Sequence, residues 1–443
     1  MLKILVNSYT CCPGMGSEPG MGWNWIVSLA KYCEMYIVTE GEYREKIEEW
    51  LANLGNEVLA KNLHFYWNPI GDNDRDCERI RKMCWNQGDW RFYRFYKKWQ
   101  KKTAKAAEDI CKKEKIDILH QLNMIGFREP GYLWQVSKKT GIPFVWGPID
   151  AKDSFPMTYA QKADFKIRTF LHIKNLITRF QLCFSWRVKD AANQANFIVG
   201  ATSNSVKSIK KHLHLNAALI NETGCRVDSN PYSKEMKKNE DFEILWVGKF
   251  DFRKQLDLAL NAIASANIGK VKFHIIGSGN DESYKKMAFN LGISSCCVWH
   301  GLISHDSVQK IMRQCDLFLF TSIAEGTPHV VLESIANDLP LICFNTCGQG
   351  DCVTDDVGIK IPLTNPEQSI KDFANAIIRL YNNRDLLERM SSNCHKRAVE
   401  LSWENKALQM LELYNNVVLS RDKCVSCSET GMTVGENDDI VGL

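Results

Sequence analysis

Short continuous runs of apolar residues alternate along the chain with longer stretches in which apolar positions recur at helical spacing. In the first half, the runs lie at 3–6, 35–39, 117–120, 143–146 and 197–200. Gly22–Tyr32 places Trp23, Ile26 and Leu29 on one helical face between the first two runs. Continuous apolar runs are typical of parallel strands that are covered on both faces. The alternation therefore predicts a doubly wound α/β domain over residues 1–225.

The same pattern begins again after a polar break at 230–241. Its strand-like runs lie at 242–247, 271–276, 297–299, 317–320 and 340–344. They predict a second doubly wound α/β domain over residues 240–400. A helix is predicted from about Trp403 to Val418, and the polar segment 423–443 is expected to form a disordered tail.

Composition restricts the classes of protein to be considered. The net charge of +4 over 443 residues gives no argument for a nucleic-acid partner. No apolar stretch approaches the roughly 20 residues that a membrane span needs, and the start of the chain lacks a signal-peptide pattern, so we expect a cytoplasmic protein. The 17 cysteines are scattered through predicted strands and helices, and we interpret them as reduced and mostly structural. The one CxxC pair, Cys424 and Cys427, has no second pair at metal-ligand spacing.

Two segments, 85–102 and 162–187, mix aromatic and basic residues. Amphipathic helices of this composition bind at lipid headgroups, where the cations meet anionic lipid and the rings enter the interface. The alternative is that the rings pack onto the sheet while the Lys and Arg side chains face water. The sequence leaves both interpretations open.

The strongest chemical motif follows the run at 317–320. It consists of Glu325, Gly326, Thr327 and Pro328, with Glu333 after seven intervening residues. This segment resembles the E-x7-E segment of the family 4 retaining glycosyltransferases, also called glycosyl transferases group 1, which have the GT-B fold. The resemblance implies that Glu325 contacts the donor sugar and acts in catalysis. It also implies that Glu333 holds the ribose of a nucleotide-sugar, with 326–328 lining the sugar pocket.

A second segment resembles the part of this family that binds the donor diphosphate. It contains Lys249, Arg253 and Lys254, and fixed cations of this kind stabilise the charge of a diphosphate leaving group. Lys249 stands where the family more often has Arg. The resemblance also places Gly277 near the donor, and Leu302 with Ile303 against the nucleobase.

The first half carries weaker matches. Gly16, Ser17 and Glu18 resemble the family's glycine-rich loop, which faces the donor phosphates and the acceptor. His120 ends a predicted strand and matches the family's histidine near the donor sugar, which implies a catalytic role. A hydrogen-bonded structural histidine is the alternative. The GT-B fold further implies that the two domains face a cleft and that a helix at 401–420 returns to the first domain.

Together, these residues predict a retaining hexosyltransferase that uses a nucleotide-sugar donor. We expect neither a cofactor nor a metal ion, because Lys and Arg replace the cation, and no nucleic-acid partner. The expected acceptor is a membrane-associated glycan or a lipid-linked oligosaccharide in surface polysaccharide synthesis, used at the inner face of the plasma membrane. The alternatives are a sugar-nucleotide epimerase or phosphorylase of the same fold, or a catalytically silent GT-B partner in a membrane assembly complex.

Overall fold

The computed structural model describes residues 1–85, 89–151, 154–161, 163–227 and 241–430, with side chains described as far as residue 420. Within these ranges the strands form two parallel sheets. The first sheet has seven strands in the order β3-β2-β1-β4-β5-β6-β7. They are β1 (Lys3–Ser8), β2 (Glu34–Thr39), β3 (Leu63–Trp67), β4 (Ile118–Asn123), β5 (Phe144–Ile149), β6 (Phe197–Gly200) and β7 (Ala218–Leu219).

Over the described part of the second half, six strands form the other sheet in the order β10-β9-β8-β11-β12-β13. They are β8 (Phe242–Val247), β9 (Val271–Ile276), β10 (Cys297–Gly301), β11 (Leu317–Phe320), β12 (Leu341–Phe344) and β13 (Gly358–Ile361). The prediction of two doubly wound α/β units is therefore confirmed. In both sheets the strand order reverses beside the first strand, between β1 and β4 and between β8 and β11. Loops at the carboxyl ends of such reversal points are where open α/β sheets bind ligands.

Helices cover the faces of both sheets. In the first half they are α1 (Ser17–Leu29), α2 (Arg44–Ala52), α3 (Glu57–Lys61), α4 (Asp74–Trp85), α5 (Phe92–Lys113), α6 (Leu133–Thr140), α7 (Phe165–Phe184), α8 (Trp186–Gln194) and α9 (Ser203–Leu213). The second half contains α10 (Leu256–Ala266), α11 (Glu282–Asn290), α12 (His305–Gln314), α13 (His329–Ala336), α14 (Cys347–Cys352), α15 (Pro366–Asn382), α16 (Arg384–Glu400) and α17 (Trp403–Thr430). Short 3-10 helices lie at Met157–Ala160 and Ser294–Cys296.

The last helix, α17, leaves the second domain and packs against α1 of the first. The indole rings of Trp403 and Trp25 meet edge to face with their centroids 5.8 Å apart. Tyr414 is fully buried in the first domain's core. The helix continues to Thr430, so it includes the first part of the segment expected to be a tail. Residues 431–443 lie outside the described residues.

Three further contacts join the domains. The backbone N–H of Ser203, at the start of α9, donates to Asp351 Oδ2 at 2.8 Å, and Asn204 Nδ2 donates to Thr346 Oγ1 at 3.2 Å. The hydroxyl of Tyr159 lies 2.7 Å from Ser369 Oγ. The Tyr159 ring is part of the second domain's core, although its segment follows β5 of the first. These contacts fix the two sheets relative to each other.

The two aromatic and basic segments have different environments. In α5, Phe92, Tyr96 and Trp99 are buried around Tyr9. For the buried face of segment 85–102 the packing interpretation is therefore correct and the membrane interpretation is wrong. In α7, by contrast, Leu171 and Leu182 are the buried apolar side chains. Lys162 and residues 86–88 lie outside the described residues.

Among the described helices, none combines the length and the apolar character needed to cross a bilayer. The described cysteines, which extend to Cys394, form no disulfide with one another. Several of them, among them Cys315 and Cys343, lie in the second domain's core as small apolar side chains.

Candidate donor site at the carboxyl edge of the second sheet

The two motifs of the second half meet at its strand-order reversal. One loop follows β8 and carries Lys254, and the other follows β11 and carries Glu325. Because β8 and β11 are neighbouring parallel strands, both loops emerge at the same edge of the sheet. Lys254 Nζ donates a hydrogen bond of 2.5 Å to Glu325 Oε1. Ser322 Oγ donates to the same oxygen, also at 2.5 Å.

This ion pair is partly shielded from water. The side chains of Lys254 and Glu325 are 19% and 20% exposed, and the ammonium also lies over the Phe320 ring, 5.6 Å from its centroid. A charge pair at this depth interacts more strongly than one on the surface. The structure thus places one predicted diphosphate-binding cation beside the predicted sugar-binding carboxylate.

The other predicted cations are more exposed. Arg253 forms an ion pair with Asp251, with Nη2 donating to Oδ2 at 2.8 Å, and its side chain is 47% exposed. Burial alone would raise the pKa of Asp251, but the hydrogen bonds and charge of Arg253 outweigh it and lower that pKa. Lys249 lies two residues after the end of β8 and is exposed. All three cations are therefore on one loop at this edge.

Glu333 lies in α13, which begins after the Glu325 loop. Its carboxylate is held by α12: His305 Nε2 lies 3.2 Å from Oε1, and Gln309 Nε2 donates to Oε2 at 3.2 Å. The side chain is still 30% exposed. Glu333 therefore has acceptor capacity left for ligand hydroxyls beside the Glu325 loop.

Gly277 allows three loops of this edge to pack closely. Its N–H donates to Gly301 O at 3.0 Å, and a Cβ at this position would lie 1.9 Å from Gly248 O. The two residues after Gly301 differ in exposure. Leu302 is 79% exposed, whereas Ile303 packs against the second domain's core. Of the two residues that are predicted to lie against the nucleobase, Leu302 is thus the accessible one.

The Glu325 loop, which we also call the sugar loop, contacts a residue of the first domain that the motif did not reveal. Glu222, which follows β7 in the first domain, is buried and accepts hydrogen bonds from Thr327 N–H at 2.5 Å and Thr327 Oγ at 2.7 Å. A Cβ on Gly326 would approach Glu222 Oε1 to 2.4 Å, so only glycine fits there without movement. Burial raises the pKa of Glu222, while the Thr327 hydrogen bonds lower it.

These contacts correct the role expected for Thr327. Because its N–H and hydroxyl both donate to Glu222 and the residue is buried, Thr327 supports the loop and does not line an open pocket. Pro328, also buried, precedes α13. Glu222 was not identified from the sequence because a single acidic residue has no spacing to recognise.

The glycine-rich loop lies at the corresponding reversal of the first sheet. Gly16 precedes α1, and Ser17 has a positive φ of 57°. Glu18 accepts a hydrogen bond of 3.3 Å from Ile125 N–H, which follows β4, and its Oε2 is a buried oxygen without a hydrogen-bond partner in the described structure. Burial, together with the charge of Glu222, raises the pKa of Glu18 to about 7 against the lowering effect of the Ile125 hydrogen bond. Glu18 and Glu222 therefore lie close enough to interact.

His120 does not have the position expected of a catalytic group. It is fully buried in β4, where Nε2 lies 2.6 Å from Gly147 O and Nδ1 lies 2.6 Å from the Tyr414 hydroxyl of α17. A carbonyl only accepts, so Nε2 carries the proton and Nδ1 accepts from Tyr414. Burial lowers the pKa of His120 to about 4. The structure thus favours the structural alternative for His120: Nε2 is bonded to β5, and Nδ1 holds α17 on the first sheet.

Part of the chain is similar in sequence to known glycosyltransferases. Residues 230–397 match the family model described as Glycosyl transferases group 1. An uncharacterized glycosyltransferase of Methanocaldococcus jannaschii is 24% identical over 181 residues, which are 40% of this chain and 45% of that protein. A UDP-Gal:alpha-D-GlcNAc-diphosphoundecaprenol alpha-1,3-galactosyltransferase of Escherichia coli is 27% identical over 118 residues, 26% of this chain and 29% of that protein. The chain thus spans less than half the length of these relatives.

The whole chain is similar in structure to a solved protein. The sucrose-phosphate synthase of Thermosynechococcus elongatus gives a TM-score of 0.61 at 15% identity, covering 95% of this chain and 100% of that one. At this identity the likeness concerns the fold. The fold is GT-B, as the sequence predicted.

Proposed function

We propose that this chain is a retaining glycosyltransferase that moves a sugar, of hexose type, from a nucleotide-sugar to a glycan acceptor. The observation that supports it best is the meeting of Lys254 and Glu325 at the reversal of the second sheet. Glu333 lies beside the same loop, and the family match covers all three residues. These groups suit a nucleotide-sugar. The loop after β8 carries exposed cations, Glu325 is the carboxylate for the sugar, and Glu333 is a second carboxylate with free acceptor capacity.

In the proposed mechanism the donor diphosphate binds the cations of the β8 loop. Lys254 forms an ion pair with Glu325, so an incoming diphosphate shares or takes over its ammonium. Fixed cations at the diphosphate oxygens stabilise the charge that builds as the glycosidic bond breaks. Glu325 orients the sugar, and the acceptor hydroxyl attacks from the face of the leaving group, which retains the anomeric configuration. No catalytic metal ion is needed, because Lys254 and Arg253 supply the positive charge.

The proposed acceptor is a membrane-associated glycan or a lipid-linked oligosaccharide of surface polysaccharide synthesis. One relative is named for a diphosphoundecaprenol-linked sugar acceptor and a UDP-sugar donor. We infer acceptor binding mainly on the first domain, across the cleft from the donor loops. The place of action would be the inner face of the plasma membrane.

Helix α7 supports membrane contact. Five large apolar side chains recur along one stripe of it at spacings of three and four residues, and each of the five is about half exposed or more: Phe170 (60%), Ile173 (51%), Ile177 (48%), Phe180 (64%) and Phe184 (67%). The helix contains no Asp or Glu, and Lys166, Arg168 and Arg179 are exposed on it. Its other face is held to the first domain, where Arg128 donates to Thr178 Oγ1 at 2.5 Å. An exposed apolar stripe flanked by cations is complementary to an anionic lipid surface.

We expect the Phe180→Glu/Phe184→Glu variant to lose vesicle binding. The two rings lie 5.0 Å apart on the exposed stripe, so charges there oppose insertion into lipid. Cosedimentation with phosphatidylglycerol-containing vesicles measures the effect, expected to be at least about tenfold from the lost ring burial. Phe289→Glu is the matched control, because Phe289 is 75% exposed in the second domain. Equal vesicle binding by both variants, or a dimer of the wild type that only the α7 variant abolishes, would contradict lipid as the partner.

A thermal-shift screen tests the donor assignment. The purified chain is heated with UDP-, GDP- and ADP-sugars in the presence of EDTA. We expect one nucleotide series to raise the melting temperature by several degrees at saturating concentration, since a ligand that binds only the native state stabilises it. Glu333→Gln should remove most of this shift, whereas Glu282→Gln, in the first turn of α11, should not. A shift that is the same for wild type and Glu333→Gln would overturn the role of Glu333.

A further inference from the structure

A second group of chemistry-bearing side chains lies in the second domain, away from the donor loops. Glu243 is near the amino end of β8, and Cys315 precedes β11. His274 lies in β9 and pairs in register with Leu245 of β8. Lys254 and Glu325 follow the carboxyl ends of the same strands β8 and β11. The group therefore lies toward the opposite end of these strands from the donor site.

The three side chains converge on one point. The ligand-type atoms of Glu243, His274 and Cys315 all lie within 4.8 Å of one another, and His274 Nε2 is 3.7 Å from Glu243 Oε2. Tetrahedral zinc ligands of these types lie about 3.3–3.6 Å apart, given metal–ligand bonds of roughly 2.0–2.3 Å. The His274 and Glu243 atoms are almost at this separation, and the Cys315 sulfur lies within 4.8 Å of both.

His274 is oriented by a second histidine. Its Nδ1 lies 2.9 Å from Nε2 of His300, and the two rings stack with centroids 5.2 Å apart. When Nδ1 donates to His300, the Nε2 lone pair of His274 points toward Glu243 and Cys315. That Nε2 is buried and has no hydrogen-bond partner among the described residues. A buried ring nitrogen without a partner is costly, and histidines that bind metals characteristically donate their other N–H to a fixed acceptor.

We propose that Glu243, His274 and Cys315 bind one divalent transition-metal ion of zinc type, with His300 positioning His274. A thiolate, an imidazole and a carboxylate form a mixed donor set that suits zinc and excludes magnesium or calcium, which prefer oxygen ligands alone. Among the described residues, Lys272 lies 4.0 Å from Glu243 Oε1, and Asp241 holds this cation at 2.9 Å. The ion joins β8, β9 and the segment before β11, so it stabilises the second domain and takes no part in sugar transfer.

Titration of the full chain with Co²⁺ tests this site. A thiolate ligand gives Co²⁺ a charge-transfer band in the near ultraviolet, which reports the Cys–metal bond directly. The titration is made in a Cys424→Ser/Cys427→Ser background, so that the C-terminal pair cannot contribute. We expect one equivalent to bind with this band, Zn²⁺ to displace it, and Zn²⁺ to raise the melting temperature by roughly 5 °C or more near a hundredfold excess over Kd.

The matched variants are Cys315→Ser and Cys343→Ser. Both cysteines are fully buried in the same core, but only Cys315 belongs to the proposed site. Cys315→Ser should lose the band while Cys343→Ser keeps it, and Glu243→Gln, which preserves side-chain shape, should weaken Co²⁺ binding at least about tenfold. A wild-type protein that shows no thiolate band would overturn the proposal. So would a band of equal strength in the folded Cys315→Ser variant.

Discussion

Replacing Lys254 with methionine is expected to lower kcat/KM about 10²–10³-fold, the usual loss when one fixed donor to a developing negative charge is removed. The reason is the position of the ammonium at the reversal of the second sheet, 2.5 Å from Glu325 and on the same loop as Arg253 and Lys249. Methionine keeps the length of the side chain and its packing over Phe320 but removes the charge. Initial rates with the nucleotide-sugar found by the thermal-shift screen measure the effect.

The same substitution should also destabilise the fold, and a double variant separates the two effects. Without Lys254, Ser322 is the remaining hydrogen-bond donor to the partly buried Glu325 carboxylate among the described residues. Removing one partner of a shielded ion pair costs more than removing both. Lys254→Met/Glu325→Gln should therefore recover most of the melting temperature that Lys254→Met loses, while activity remains low. Activity within threefold of wild type in Lys254→Met would show that this lysine does not act on the leaving group.

Replacing Glu222 with glutamine is expected to raise the KM for the donor at least about tenfold. The carboxylate accepts from both the N–H and the hydroxyl of Thr327, and it fills the space beside Gly326. Glutamine is neutral, so it loses the charge-assisted character of the hydrogen bonds from Thr327, and the loop that carries Glu325 is held less firmly. A lost hydrogen bond to a buried charged group costs about 1.5–3 kcal/mol, which is enough for this change in KM.

A control distinguishes positioning of the loop from general destabilisation. Glu40 is a buried carboxylate of the first domain that pairs with Arg81 at 2.9 Å. Glu40→Gln should lower the melting temperature to a similar degree without altering the donor KM. If Glu222→Gln and Glu40→Gln change KM equally, Glu222 has no specific role at the sugar loop. Thr327→Val, which removes one of the two donors, should give part of the Glu222→Gln effect and little more in combination with it.

The architecture could be predicted from the sequence because buried parallel strands have a distinctive pattern of continuous apolar residues. The runs at 3–6, 242–247 and 317–320 became central strands whose residues are almost all buried. Leu63–Trp67 was missed because β3 lies at the edge of the first sheet and is only partly buried, so its pattern is neither continuous nor regularly alternating. At an edge, burial no longer dictates apolar side chains.

The candidate site could be predicted from the sequence where several of its residues share one loop. Glu325 and Lys254 belong to motifs with fixed spacing, and topology brought those motifs together. Glu222 acts alone from the other domain, so its role depends on the relative position of the domains, which no local pattern encodes. For His120, the local pattern was recognised but fits two different roles. A histidine at the end of a strand suits either catalysis or structure, and only the position of Tyr414 on a helix from the far end of the chain decides between them.

The anomeric configuration of the product distinguishes retaining transfer from its alternatives. The wild-type chain is incubated with its nucleotide-sugar and a glycan acceptor in the presence of EDTA, and the product is followed by NMR from the first turnovers. We expect release of a nucleoside diphosphate and a new glycosidic bond with the configuration of the donor, both greatly slowed in Lys254→Met. An inverted product, a requirement for added Mg²⁺ or Mn²⁺, or conversion of the donor without any acceptor would contradict it.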